Sequence, residues 1–223
     1  MAQQDYLKNM GIDQWVLRQT SETNTSNQIN HQTEDDKNDW ARLEQQVAEC
    51  RLCGLEKSRT QTVFGSGSRQ ASLMIIGEAP GADEDRQGKP FVGRAGQLLT
   101  LMLEAIGIQR EDVFITNILK CRPPNNRDPS PHEVRCCTPY LQQQINFIQP
   151  KVMVALGRIA AHFLLETNAS LGSMRGKFHY YGEQKTPLFI TYHPAYLLRS
   201  PGQKAKSYAD LRQIKTFIAQ SEM

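Results

Sequence analysis

Apolar residues in this chain fall into short, nearly unbroken runs separated by longer stretches with a helical period. Four runs stand out: SLMII (72–76), VFIT (113–116), KVMVAL (151–156) and PLFITY (187–192). Short, β-branched and apolar throughout, they predict strands buried on both faces. Residues 94–106, 131–148, 158–166 and 206–219 space their apolar residues three and four apart, which predicts helices. Another helix is expected from Asp39, with Trp40, Leu43, Val47 and Cys50 along one side. Ser130, Pro131 and Glu133 stand as N-cap, first and third helical residues, a capping box that fixes where the 131–148 helix begins. Alternating strands and helices predict an α/β fold: a doubly wound, mostly parallel sheet.

The first 39 residues read differently. Residues 1–19 hold a short amphipathic stretch with Leu7, Met10, Ile12, Trp15, Val16 and Leu17, whereas 20–39 are almost devoid of apolar side chains. The expected organisation is a docking peptide (1–19), a polar flexible linker (20–39) and a single folded domain (40–223). Charge divides the same way. Residues 1–49 carry four Lys/Arg against nine Asp/Glu, a net of −5, and residues 50–223 carry 22 against 14, a net of +8. A basic body with an acidic leader suits a polyanionic partner such as nucleic acid. No run of about 18 apolar residues occurs and the first twenty residues lack a signal pattern, so a cytosolic location is expected.

Open α/β sheets bind ligands beyond the carboxyl ends of their strands. Here those ends carry Gly77 and Glu78, then Asn117, then Gly157 and Arg158, then His193. A carboxylate, an amide and an imidazole should therefore meet on one edge. The first loop, GEAPGADEDRQGKPFVG (77–93), adds Asp83, Glu84, Asp85 and Phe91. It contains no glycine-rich phosphate cradle, and its acidity suits acid–base work, water positioning or hydrogen bonding to a neutral ring.

Five cysteines are present. Along the 131–148 helix, Val134, Cys137, Leu141, Ile145 and Ile148 share one stripe, and Cys136 is rotated off it. The expected ligand set is Cys50, Cys53, Cys121 and Cys137. Four thiolates suit structural zinc or an iron–sulfur cluster, and the single CxxC knuckle leans toward the latter.

The segments GEAPGADEDRQGKPFVGRAGQLL, TNILKCRPPNNRDPSP and HPAYLLR, with the four cysteine positions, resemble the family 4 (iron–sulfur) uracil-DNA glycosylases over residues 40–219. The resemblance implies a three-layer α/β/α sandwich, a [4Fe-4S] cluster, and hydrolysis of the N-glycosidic bond of uracil in DNA by a cytoplasmic, nucleoid-associated monomer. It implies that Phe91 stacks on the extruded uracil, that Asn117 reads its Watson–Crick edge, and that His193 favours the departing anion at O2. It makes Glu78 and Glu84 the acidic catalytic positions and lines the pocket with Ala79, Pro80 and Gly81. Pro194, Ala195, Tyr196, Leu197, Leu198 and Arg199 match the loop that enters the minor groove, with Leu197 and Leu198 as a wedge. Ala79 stands where some superfamily members carry an aspartate. Neither the insertion nor the histidine of a covalently trapping relative is present, which implies hydrolytic turnover. YLKNMGIDQWVLRQ is similar to the N-terminal segment of the psi subunit of bacterial DNA polymerase III, which docks on the clamp loader. A replisome-tethered adaptor that binds DNA without cutting it is the alternative function.

Overall fold

The computed structural model describes residues 38–221. The expected docking peptide, and the expected linker up to residue 37, lie outside the described residues. Residues 38 and 39, expected to close the linker, are already helical. The compact unit that begins at Asp39 holds the rest of the chain.

Its first helix, α1, spans residues 38–48 and buries Trp40, Leu43 and Val47. There follow β1 (Ser66–Gly67), β2 (Leu73–Gly77), α2 (Ala82–Gln87), α3 (Arg94–Glu104), β3 (Phe114–Asn117), α4 (Pro131–Ile148), β4 (Val152–Leu156) and α5 (Gly157–Leu165). The chain closes with α6 (Leu171–Met174), β5 (Phe178–Tyr181), β6 (Thr186–Thr191), α7 (Pro194–Arg199) and α8 (Lys204–Gln220). The sheet order is β1-β3-β2-β4-β6-β5. The four inner strands, those expected from the apolar runs, are parallel, and the two edge strands are antiparallel to their neighbours.

The inner strands separate two cores because successive side chains point to opposite faces. Met74 and Ile76 pack with α1, α4 and α5, while Leu73 and Ile75 pack with α3 and α8. The result is a three-layer sandwich. From β2 the chain first steps out to β3, then crosses back over β2 to β4. That reversal opens a crevice at the carboxyl ends of the strands.

Two short helices occupy stretches expected to be loops. In α2, Asp83, Glu84 and Asp85 fill the first turn, where carboxylates favour the helix dipole, and left-handed Gly88 ends it. Only Asp85 of α2 is buried, so no apolar stripe marks it. In α7, Pro194 takes the first position and His193 caps it.

Candidate active site

A cavity of about 500 Å³ opens at the carboxyl edge of the sheet, lined by Glu78 after β2, Asn117 at the end of β3, His193 after β6, and Phe91. The three strand-end groups therefore share one cavity. Ala79, Pro80 and Gly81 line it too, as do Asn126, Arg127 and Asp128 from the turn before α4. Those last three carry no apolar pattern, and their nearest legible signal was the capping box beside them. That box forms: Ser130 Oγ accepts from Glu133 N, and Glu133 reaches back to Ser130 N while Arg127 pairs with its carboxylate. These bonds hold the Glu133 carboxyl down to about 2, the Arg127 bonds being the largest cause.

Phe91 is held in an unusual way. Its φ of +52° places a bulky residue in the left-handed region, which persists only when neighbours enforce it. Glu84 Oε1 accepts from Val92 N at 2.9 Å and Gly93 N at 3.0 Å, and Arg110 Nη2 donates to Pro90 O at 2.7 Å. Gly96 completes the clamp, since a Cβ there would fall 1.8 Å from Phe91 O. Glu84, expected as a catalytic acid or base, thus serves the loop backbone through Oε1. Glu78 stands differently: burial and the nearby Asp128 raise its pKa to about 7, against the opposing charge of Arg158.

Asn117 is buried, and its Oδ1 has no hydrogen-bond partner. Gly77 faces it across the parallel ladder. A Cβ on Gly77 would stand 2.3 Å from Asn117 Oδ1 and 2.6 Å from Phe91 Cζ, so the bare backbone keeps the pocket floor open. Behind Asn117, away from the cavity, the Lys120 ammonium donates to Thr116 Oγ1, Asn117 O and Gln144 Oε1, each at 2.7 Å. Burial lowers its pKa to about 7. Lys120 does not line the cavity.

His193 Nδ1 accepts from Ala195 N at 3.1 Å, capping α7, so a neutral ring carries its proton on Nε2. Burial, with the charge of Arg199, lowers the pKa to about 4 despite Glu84, and the imidazole is neutral near pH 7. Its ring centroid lies 5.6 Å from that of Phe91 at 34°. Gly157, with φ +87°, admits this ring, because a Cβ there would meet His193 Cβ at 2.9 Å.

Helical winding sorts the expected DNA-facing segment. Ala195, Tyr196 and Arg199 line the cavity, Leu198 is half-buried, and Arg199 is exposed. Pro194 and Leu197 are buried instead. Leu197 turns inward, where it lines an apolar crevice with residues of α3 and α8, so it does not stand where the expected wedge needs it.

On the opposite face of the sheet, Cys121 and Cys137 are buried and Cys50 and Cys53 half-buried. Arg59 Nη1 donates to Cys121 Sγ at 3.0 Å. Cys53 and Cys137 lie beside the backbone of Leu55 and Lys120, and Cys50 lies beside Tyr140. Burial pushes the Cys137 thiol up to about 12, and the neighbouring Cys121 and Cys53 add to it. Cys121 in turn feels Cys53 and Cys50. The four thiols are neighbours, although among the described residues no three His, Cys, Asp or Glu side chains gather closely enough to hold a metal ion. Cys136, off the stripe, donates to Leu52 O at 3.3 Å.

Residues 64–214 match the Uracil DNA glycosylase superfamily. A type-4 uracil-DNA glycosylase of Pyrobaculum aerophilum is 47% identical over 180 residues, covering 78% of this chain and 91% of that protein. The type-4 enzyme of Archaeoglobus fulgidus is 45% identical over 175 residues, 76% of this chain and 88% of that one. That of Thermotoga maritima is 42% identical over 180 residues, 79% and 93%. A cavity of this composition, on this sheet and with these relatives, belongs to the type-4 branch of the uracil-DNA glycosylase superfamily, and the chain is a member of it.

Proposed function

We propose that this protein is a monofunctional glycosylase that hydrolyses the N-glycosidic bond of uracil in DNA and leaves an abasic site. The observation that carries this reading is Asn117 Oδ1, a buried acceptor with no partner in a cavity shared with Phe91 and a neutral histidine. Uracil offers N3–H to that acceptor and O4 to the amide N–H. Cytosine presents the reverse pattern and would leave both groups unpaired.

Extruding the base costs a few kcal/mol of stacking, and stacking on Phe91 returns about 1–3 kcal/mol. Leu198 fills part of the gap, and the basic body meets the phosphates. As the glycosidic bond lengthens, charge gathers on uracil O2. His193 Nε2–H is a preorganised donor that needs no protonation to serve there. Glu78, poised near neutrality, takes the proton of the water that attacks the sugar.

The four cysteines fit a [4Fe-4S] cluster by the chemistry of the set: four soft thiols from three segments of the chain, with Arg59 already donating to Cys121. Cys50, Cys53, Cys121 and Cys137 would hold it. Bound there, it supplies a covalent cross-link between the loop after α1, the turn after β3 and α4.

The leader favours a tether. Its likeness to the psi subunit segment and its acidic, apolar-poor spacer support residues 1–19 docking on the clamp loader, which would raise the local concentration of the enzyme at new DNA. Loss of clamp-loader capture on deleting residues 1–19 is the expected result, and unchanged capture discards the tether.

The main reading is tested with protein purified without oxygen and an end-labelled duplex carrying one uracil. Strand cleavage only after alkali, weakened by His193→Ala, is expected. Tight binding without any abasic product would leave the adaptor function instead.

A further inference from the structure

Lys120 is 1% exposed, and its three bonds go to a hydroxyl, a carbonyl and a side-chain amide, none of them a carboxylate. The other buried charged side chains among the described residues are carboxylates served otherwise: Asp210 by Arg175, Glu133 by Arg127, and Asp85 by Thr60 N. A buried ammonium is costly to keep, and its three donors are all spent within one turn of Asn117.

The geometry ties that ammonium to the base-reading residue. Asn117 is fixed from one side by the parallel ladder, with Ile118 N and Leu119 N continuing to Gly77 O and Glu78 O. On the other side its carbonyl is held by Lys120 Nζ alone of the side chains. Its own amide oxygen is unpartnered, so nothing at the tip fixes its direction before substrate arrives. The far end of the brace is equally anchored. Thr116 Oγ1 and Gln144 Nε2 both donate to Phe64 O at 2.9 Å, and Lys120 O accepts from Val63 N at 2.7 Å.

We propose that Lys120 is a positioning residue for uracil recognition: by holding the Asn117 carbonyl and the Thr116 hydroxyl it aims the Asn117 amide into the cavity, although no atom of Lys120 lines that cavity. This rests on the uracil-excising reading above. Pre-aiming matters because an error of about 1 Å in a recognition group can cost about 100-fold in rate.

The test is a double-mutant cycle in single-turnover excision, using cluster-containing full-length protein and the variants Lys120→Met, Asn117→Ala and both together. Lys120→Met should slow excision by about 10- to 100-fold. Its affinity for a duplex bearing an abasic site, and its iron and sulfide per chain, should match wild type. In the Asn117→Ala background the same change should cost less than about twofold, because a residue acting through Asn117 has nothing left to aim. Lys120→Gln, which keeps a donor, should recover part of the rate, and it replaces the methionine variant in the cycle if that variant does not fold. Multiplicative losses, an unchanged rate, or a loss that tracks the iron content would each overturn the inference. Wild-type protein that excises no uracil would instead sink the reading on which it rests.

Discussion

Two polar arrangements lie one residue apart at the end of β3, and they follow opposite rules. At Thr116, Lys120 and Gln144 every hydrogen of the ammonium is met, and the partners are met in turn by Phe64 O. At Asn117 the amide oxygen is just as dry and is met by nothing. The only other such side-chain oxygen among the described residues, Glu56 Oε2, does not line the cavity. Burying a polar atom without a partner costs about 1–3 kcal/mol, so a fold retains one where something outside it completes the bond. The network behind the strand is complete within the fold, and the orphan in front of it is left for something outside the fold to complete.

The comparison is most sharply tested at the orphan itself. Asn117→Ala removes both bonds proposed to read the base and should lower kcat/KM by about 100- to 1000-fold. Thermal unfolding should stay level or rise, since an unsatisfied acceptor leaves with the side chain. A fall of several degrees in Tm would show that the residue is architectural after all. Gly77→Ala pushes a methyl between Asn117 Oδ1 and Phe91 Cζ. It should cost about 1–3 kcal/mol of stability and about 10- to 100-fold in excision, measured side by side.

Glu78 adds a pH axis. Burial raises its pKa to about 7 from an ordinary 4.5, so ionisation works against the fold. Its contribution to stability is complete below about 4.5 and is lost as pH climbs to about 7. With Glu78 as the proposed base the rate runs the other way, because only the ionised carboxylate accepts a proton. In wild type kcat/KM should rise by about tenfold per unit up to a plateau near 7, and Glu78→Gln should give a low, flat profile whose Tm no longer declines over that range. The smallest change in rate is expected from Thr116→Val on the architectural side. It should remove about 1–3 kcal/mol of stability, read by denaturant unfolding, with excision within about threefold of wild type because the Asn117 carbonyl keeps its donor.

Much of this was legible in the residues. The inner strands declared themselves because strands buried on both faces must be apolar throughout, and their last residues then named Glu78, Asn117 and His193. Ser130, Pro131 and Glu133 fixed a helix start because capping is local chemistry. The edges were not legible: β1 is two residues long, and β5 leaves Tyr180 66% exposed. The role of Glu84 stayed hidden because a carboxylate reads the same whether it takes a proton or two backbone N–H groups. Leu197 passed for a wedge because the chain after His193 was read as a loop, and only helical winding turns it inward. Nothing in a sequence says that a lysine is buried, and the three partners of Lys120 could not be read there.

Trp40 sits at the head of α1 with the edges of Phe64, Phe114 and Phe147 around it at 5.3, 5.5 and 5.9 Å between centroids. The same helix leads into Cys50, and ten residues at helical rise put that cysteine on the order of 15 Å away. Iron–sulfur clusters absorb where indole emits, so with the proposed cluster bound the ring would be a resonance-energy donor at a constant distance from an acceptor. With the only other tryptophan, Trp15, replaced by Phe, the fluorescence lifetime of the protein would become a direct optical gauge of how many molecules in a preparation carry their cluster.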